Sequence, residues 1–189
     1  MPISSLVRPL RQLLRAATVC AVAACALLLR TTVAASLTVN TTADTVDGNT
    51  SSIAALLSSK GSDGKISLRE AITAANNDAA SGPHTITLPS GTFTLTGGAM
   101  TISAGLTITG AGAGSTTING NGNRVFAITG SSGVTIQSLT ISGASASSDG
   151  GAITNSSGAL TLSSVTMSGN SSTGGYGGAI SHSGGALTL

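Results

Sequence analysis

Gly150-Gly151-Ala152-Ile153 returns as Gly177-Gly178-Ala179-Ile180, and Gly158-Ala159-Leu160-Thr161-Leu162 returns as Gly185-Ala186-Leu187-Thr188-Leu189. Both blocks recur at a single offset of 27 residues in a sequence otherwise loose in Gly, Ser and Thr. A period in the twenties marks a stacked repeat, in which each unit buries its apolar face only against a neighbour. Outward from these blocks the apolar residues fall into three columns. Ile128, Ile153 and Ile180 are spaced by 25 and 27; Ile136, Leu162 and Leu189 by 26 and 27; Ile118, Ile141 and Met167 by 23 and 26. Three short strands per turn at 23 to 27 residues per turn describe a parallel β-helix. A β-sandwich gives no reason for three columns to share one period.

In such coils alternate strand positions point inward as Ile, Leu or Val and outward as Ser or Thr. Each buried Ile or Leu contributes roughly 1.5–3 kcal/mol. Glycines take the corners that need positive φ, and Asn119, Asn155 and Asn170 are expected to support neighbouring turns. About four coils make a body ~20 Å tall.

Composition agrees. Of 189 residues only 7% are charged and 2% aromatic, while 26 are glycine. A helical bundle needs longer apolar-periodic runs and more Leu, Lys and Glu; short strands between Gly/Ser/Asn turns fit instead. Four of the eight basic residues (Arg8, Arg11, Arg15 and Arg30) lie in the first thirty. Beyond residue 35, Lys60, Lys65, Arg69 and Arg124 face six acids, a balance of −2. No basic face with aromatic platforms remains for nucleic acid, so no nucleic-acid partner is expected.

Arg8, Arg11 and Arg15 precede fourteen uncharged residues, Ala16 to Leu29, and Val33-Ala34-Ala35 forms an A-x-A-like site before Ser36. Residues 1–35 are read as a secretory signal peptide, since the apolar run falls short of the ~20 residues that span a bilayer. Val22-Ala23-Ala24-Cys25 is also lipobox-like, leaving lipidation at Cys25 as a minority alternative. Cys20 and Cys25 are the only cysteines, so cleavage after Ala35 leaves a mature chain without disulfides. The chain is expected to be exported to the extracellular space or the outer-membrane surface of the cell envelope.

Residues 36–83 read as an N-terminal capping segment. Leu37-Thr38-Val39 is a strand, Asn40 to Asp63 is mainly loop, and Ile53 to Leu57 is a brief helical patch. Asp44, Asp47 and Asp63 raise the question of calcium, but their spacing matches no complete ligand loop, and they are read as solvated turn carboxylates. Ser67 with Glu70 makes a capping box. Leu68, Ala71, Ile72 and Ala75 then share one face of a helix from about Leu68 to Asn76, with Asn76-Asn77 as a left-handed C-cap. Arg69 and Glu70 point apart on that helix and are not read as a catalytic pair.

Asp63-Gly64-Lys65-Ile66-Ser67-Leu68-Arg69-Glu70-Ala71-Ile72, followed by Ala75-Asn76-Asn77, resembles the CSLREA domain of exported bacterial proteins. Val39 to Asp44 and Thr85 to Pro89 fit the same pattern, over roughly residues 37–95. Ile66 stands where the cysteine of the family's name is usual, so a disulfide from that position cannot form here. The resemblance implies that the segment lies at the N-terminal end of a right-handed parallel β-helix. An amphipathic helix is suited to that place, because an open coil exposes core and strand edges. The Gly-Gly-Ala-Ile tetrads, with Met167-Ser168-Gly169-Asn170 before the second, resemble polymorphic outer membrane protein repeats, with Met167 at the usual Phe position.

The expected fold is therefore all-β: a right-handed parallel β-helix of about four coils, three short strands each, behind an N-terminal capping helix. The coils occupy 84–189 and read as truncated at the C-terminus, because Leu187-Thr188-Leu189 stops in mid-strand.

Parallel β-helices include polysaccharide lyases and glycan hydrolases. A glycosidase needs two carboxylates about 5–10 Å apart. From residue 79 onward the charged side chains are Arg124 and Asp149, with His84 and His182 besides. Asp149 reads as a turn cap, Arg124 as a solvated turn residue and His84 as structural. No catalytic, cofactor-binding or metal-binding residues are assigned. The expectation is a non-enzymatic exported structural module, adhesin- or stalk-like, presenting a coil face to a glycan or cell-surface ligand. The alternative is the N-terminal part of a carbohydrate-active β-helix enzyme whose catalytic coils lie beyond residue 189. Membrane association is expected only through an anchor outside this sequence or through lipidation.

Overall fold

A computed structural model of the chain describes residues 34–78 and 82–189. Residues 1–33 of the stretch read above as a signal peptide, with both cysteines, lie outside the described residues. Within them the chain winds into a parallel β-solenoid. Its strands are β1 (Ser36–Thr38), β2 (His84–Thr87), β3 (Gly91–Thr94), β4 (Met100–Ile102), β5 (Leu106–Thr109), β6 (Thr116–Asn119), β7 (Phe126–Ile128), β8 (Val134–Ser142), β9 (Ser145–Ala146), β10 (Ile153–Asn155), β11 (Leu160–Ser168), β12 (Ser171–Ser172), β13 (Ile180–His182) and β14 (Leu187–Thr188).

Three faces result. The first stacks β1, β2, β5, the first half of β8, the first half of β11, and β14, all parallel. The second stacks β3, β6 and the second halves of β8 and β11. The third stacks β4, β7, β10 and β13. β8 and β11 run unbroken through the corner between the first two faces, turning at Ser138 (φ 56°) and Ser164 (φ 54°). The same corner takes Leu88 to Ser90 in the first coil and Gly110 to Ser115 in the second. That difference supplies half of the contrast between the in-register spacings Ile86 to Ile108 (22) and Ile108 to Ile136 (28); longer turns after β6 and β7 supply the rest.

Strand alternation supplies the core. Ile86, Ile108, Ile136, Phe93, Ile118, Ile141, Ile102, Phe126, Ile128 and Ile153 are all buried. Stacked coils place these side chains in apolar ladders, the packing that compensates for so few aromatic residues. Burial declines in the last coil, where Val165, Met167 and Ile180 are partly buried and Leu187 is 40% exposed.

One predicted column is shifted. Ile153 pairs with Ile180 as expected but with Phe126 on its other side, not Ile128. Ile128 lines up instead with Ile102, Asn155 and, through Asn155, His182. A slip of two residues keeps the same side chains inward, so spacing alone could not separate the alternatives. Asn155 is consequently an inward position, buried and satisfied. Its Nδ2 donates to Gly158 O (2.6 Å) and to His182 Nδ1 (3.1 Å), and its Oδ1 accepts from Ser157 N (3.3 Å). Because an amide nitrogen only donates, His182 Nδ1 is the acceptor, and its Nε2–H faces Gly185 O at 3.1 Å. The other two columns keep the expected register where paired.

Between β1 and β2 the chain leaves the solenoid to build the cap, a short helix Ile53–Ser58 and the capping helix Leu68–Asn77. The capping box is complete: Ser67 Oγ accepts from Glu70 N (3.2 Å) and Glu70 Oε2 accepts from Ser67 N (2.9 Å). Leu68, Ala71, Ile72, Ala74 and Ala75 are buried. The C-cap differs from expectation: Asp78 closes the helix in an extended conformation, and neither Asn76 nor Asn77 has positive φ. Both amides have other work. Asn76 Nδ2 donates to Thr101 O (2.8 Å), its Oδ1 accepts from Ser103 N (2.9 Å) and Ala104 N (3.2 Å), and Asn77 Nδ2 donates to Thr50 O (3.0 Å).

Candidate binding face

The charged residues of the cap hold the fold together. Arg69 Nε and Nη2 grip Asp44 in a bidentate pair (2.8 and 2.9 Å), and Nη2 also donates to Gly98 O (2.7 Å). Asp44 accepts in addition from Thr96 N (2.7 Å) and Gly97 N (2.8 Å). Asp44 is thus not a solvated turn carboxylate; its side chain is 4% exposed. Burial pushes its pKa up, but the hydrogen bonds from Arg69, Gly97 and Thr96 and the guanidinium charge outweigh burial and hold it below the usual carboxylate range. Asp47 is exposed and also lowered, chiefly by hydrogen bonds from Ser62. Asp63 accepts from Lys65 N in a local turn. Glu70 Oε1 accepts from Asp47 N (2.9 Å) and Gly48 N (2.7 Å), so the residue that caps the helix also pins the loop. Among the described residues no three His, Cys, Asp or Glu side chains converge as a metal site.

The repeated tetrads form corners. Gly150 and Gly177 have φ of 68° and 72°. A Cβ on Gly151 would collide with the carbonyl oxygens of Ser171 and Gly178. Arg124, expected to be solvated, instead ties this corner to the next coil: Nε donates to Gly150 O (2.9 Å) and Nη2 to Asp149 O (2.6 Å) and Ser148 Oγ (2.8 Å). Asp149 does cap a turn, one coil onward, accepting from Tyr176 N at 2.6 Å. A shallow polar groove of about 500 Å³ runs beside Arg124, Ser145, Ser147, Ser148 and Thr173. His84 is structural as expected: it is buried, and in the uncleaved chain its Nδ1 accepts from the N–H of Ala35, the residue before β1 (3.3 Å).

The first face stacks six strands, against four on each of the other two. Its strands carry no Asp, Glu, Lys or Arg and no outward aromatic ring. One outward column is Ser36, Thr85, Thr107, Thr135, Thr161 and Thr188, paired in unbroken register. The parallel column two residues on is Thr38, Thr87, Thr109, Gln137 and Ser163. In the second column Gln137 Nε2 donates to Thr109 Oγ1 (3.0 Å). The hydroxyls of the first column make no hydrogen bond among the described residues. The second face offers a shorter column, Thr92, Thr117, Thr140 and Thr166, in which Thr140 Oγ1 is already bonded to Ala113 O.

Sequence reasoning placed Ser and Thr outward but gave them no role. The signal was present as Thr85-x-Thr87 and Thr107-x-Thr109, one coil apart. The Asp44–Arg69 pair left no such trace, because 25 residues separate partners brought together only by the fold.

No protein-family model, curated protein or solved structure matches this chain. The class is therefore defined by architecture: a capped parallel β-solenoid whose six-stranded first face is uncharged and lined by hydroxyls.

Proposed function

We propose that the protein is an exported, non-enzymatic structural module, adhesin- or stalk-like, which binds an extracellular surface through the first face of its solenoid. The observation that carries this reading is the unbroken column Ser36–Thr85–Thr107–Thr135–Thr161–Thr188, whose outward hydroxyls are unspent on the fold. Rigid, repeated, weak contacts suit an extended partner, since many such contacts add through effective concentration. The charged groups of the coils support the non-enzymatic part. Arg124 is occupied by carbonyls and a hydroxyl, and Asp149 by a backbone N–H. Asp149 is the one carboxylate side chain of residues 84–189, so these coils do not offer the pair a glycosidase uses.

Within this reading, residues 37–95 are a CSLREA-like cap, and the Gly-Gly-Ala-Ile coils are repeats of the polymorphic outer membrane protein kind. The complete capping box and the buried helix face support the first assignment, while Ile66 in place of the cysteine is its one departure from the family pattern. Export follows from the residue 1–35 pattern. The test is retention of the purified mature protein on glycan and whole-cell surfaces. Retention that falls when Thr107 and Thr135 are both replaced by Lys is expected; hydrolysis or eliminative cleavage of a glycan by the protein would refute it.

A further inference from the structure

We propose that the first face binds ice. This rests on the reading that the first face is a binding face, and it names the surface bound. Adjacent strands of a parallel ladder lie ~4.8 Å apart, and outward residues two apart along a strand lie about 6.6 Å apart. The Ser36–Thr188 and Thr38–Ser163 columns therefore form a two-dimensional net of side chains. Both of its repeats lie near the oxygen repeats on a prism face of hexagonal ice. Six rows extend that net over ~24 Å, several lattice repeats.

The chemistry of the net suits ordered water better than a polysaccharide. Threonine is β-branched, so χ1 is stiff and the hydroxyl and methyl stand in fixed places before any ligand arrives. The methyl restricts neighbouring water while the hydroxyl donates and accepts one lattice-like bond, and a preorganised array loses little entropy on binding. Crystalline glycans are gripped by stacking on exposed aromatic rings, and this face has none. Charged side chains orient water radially and break a lattice; this face has none of those either. The second face is the poorer candidate: Thr140 is spent on Ala113 O, and Asn119 Oδ1 on Asn121 N.

The experiment grows ice slowly from a dilute solution of the purified mature protein, and follows recrystallisation of a polycrystalline ice film in parallel. The protein is expected to enter the ice and to hold grain size down. Thr107→Lys with Thr135→Lys, at the centre of the first face, should reduce incorporation by about tenfold or more, because the multivalent array is interrupted. Thr117→Lys with Thr166→Lys on the second face should leave it unchanged. Circular dichroism establishes that each variant keeps its strands; if the first-face variant unfolds, the wild-type partition alone decides. Exclusion of wild type from ice to the extent of an inert control protein overturns the proposal. So does equal incorporation of a folded first-face variant. Wild type excluded from ice, yet held on a glycan or cell surface in a Thr107- and Thr135-dependent way, overturns ice as the ligand and leaves the binding face standing. Failure on every surface removes both.

Discussion

Gly151 and Gly178 occupy the same place in their tetrads, yet they are under different constraints. A Cβ on Gly151 runs into the carbonyl oxygens of Ser171 and Gly178, which are backbone and cannot step aside. On Gly178 the nearest atom to an added Cβ is Asn170 O at 3.5 Å, an ordinary contact. Gly151→Ala is expected to cost about 1–3 kcal/mol by overpacking, and Gly178→Ala well under about 1 kcal/mol. Thermal unfolding of the two variants side by side measures the difference; equal losses would mean the glycines are there for repeat identity alone. The repeat was legible because its glycines are backbone corners. The buried polar step from Asn155 to His182 was not, because an Asn at an inward position reads from sequence as a turn residue.

The capping helix closes the solenoid with side chains where a further strand would otherwise lie. Asn76 bonds the carbonyl of Thr101 and the amides of Ser103 and Ala104, while Arg69, seven residues earlier, bonds Gly98 and holds Asp44 against Thr96 and Gly97. Together they satisfy backbone groups around β4 that the first coil would leave open. Arg69→Ala leaves Asp44 enclosed without its cation, an expected loss of about 2 kcal/mol after allowing for the part-exposed guanidinium. Asp44 also makes the cap acid-sensitive. Its folded pKa lies below its unfolded value, so its stabilisation is complete above the ordinary carboxylate range and is lost as pH falls through the depressed folded value. Melting temperature followed from neutral pH into strong acid should fall for wild type. It should start lower and vary less for Asp44→Asn; parallel curves would show that Asp44 does not couple the cap to pH. The helix itself was legible, since a capping box and an i, i+3, i+4, i+7 stripe are local signals. Its polar contacts with Asp44 and the first coil were not, because those partners lie 25 to 29 residues away in the chain.

At the scale of the whole molecule, the solenoid is a one-dimensional stack whose end coil must be covered. Leu68 and Ile72 are 3% and 2% exposed against that end. Replacing both with Asp should uncover the first coil and drive aggregation, seen as loss of the monomer peak in size-exclusion chromatography; a soluble, fully folded double variant would show that the helix is not what protects the coil. The sequence by itself determined the period, the three faces, the alternation of Ile with Thr and the helix that begins at Ser67, because each depends on residues near one another or on a repeat that writes the same local pattern again. Only the tertiary structure decided the register of the third face, the Asp44–Arg69 latch, the role of Arg124 in tying one corner to the next, and the alignment of outward Thr and Ser, with Gln137 among them, into one net. The latch depends on how the cap folds back on itself over the first coil; the other three depend on which residue of one coil lies over which residue of the next. That choice is made by corner lengths and backbone collisions between coils, and two-residue slips leave the hydrophobic pattern unchanged.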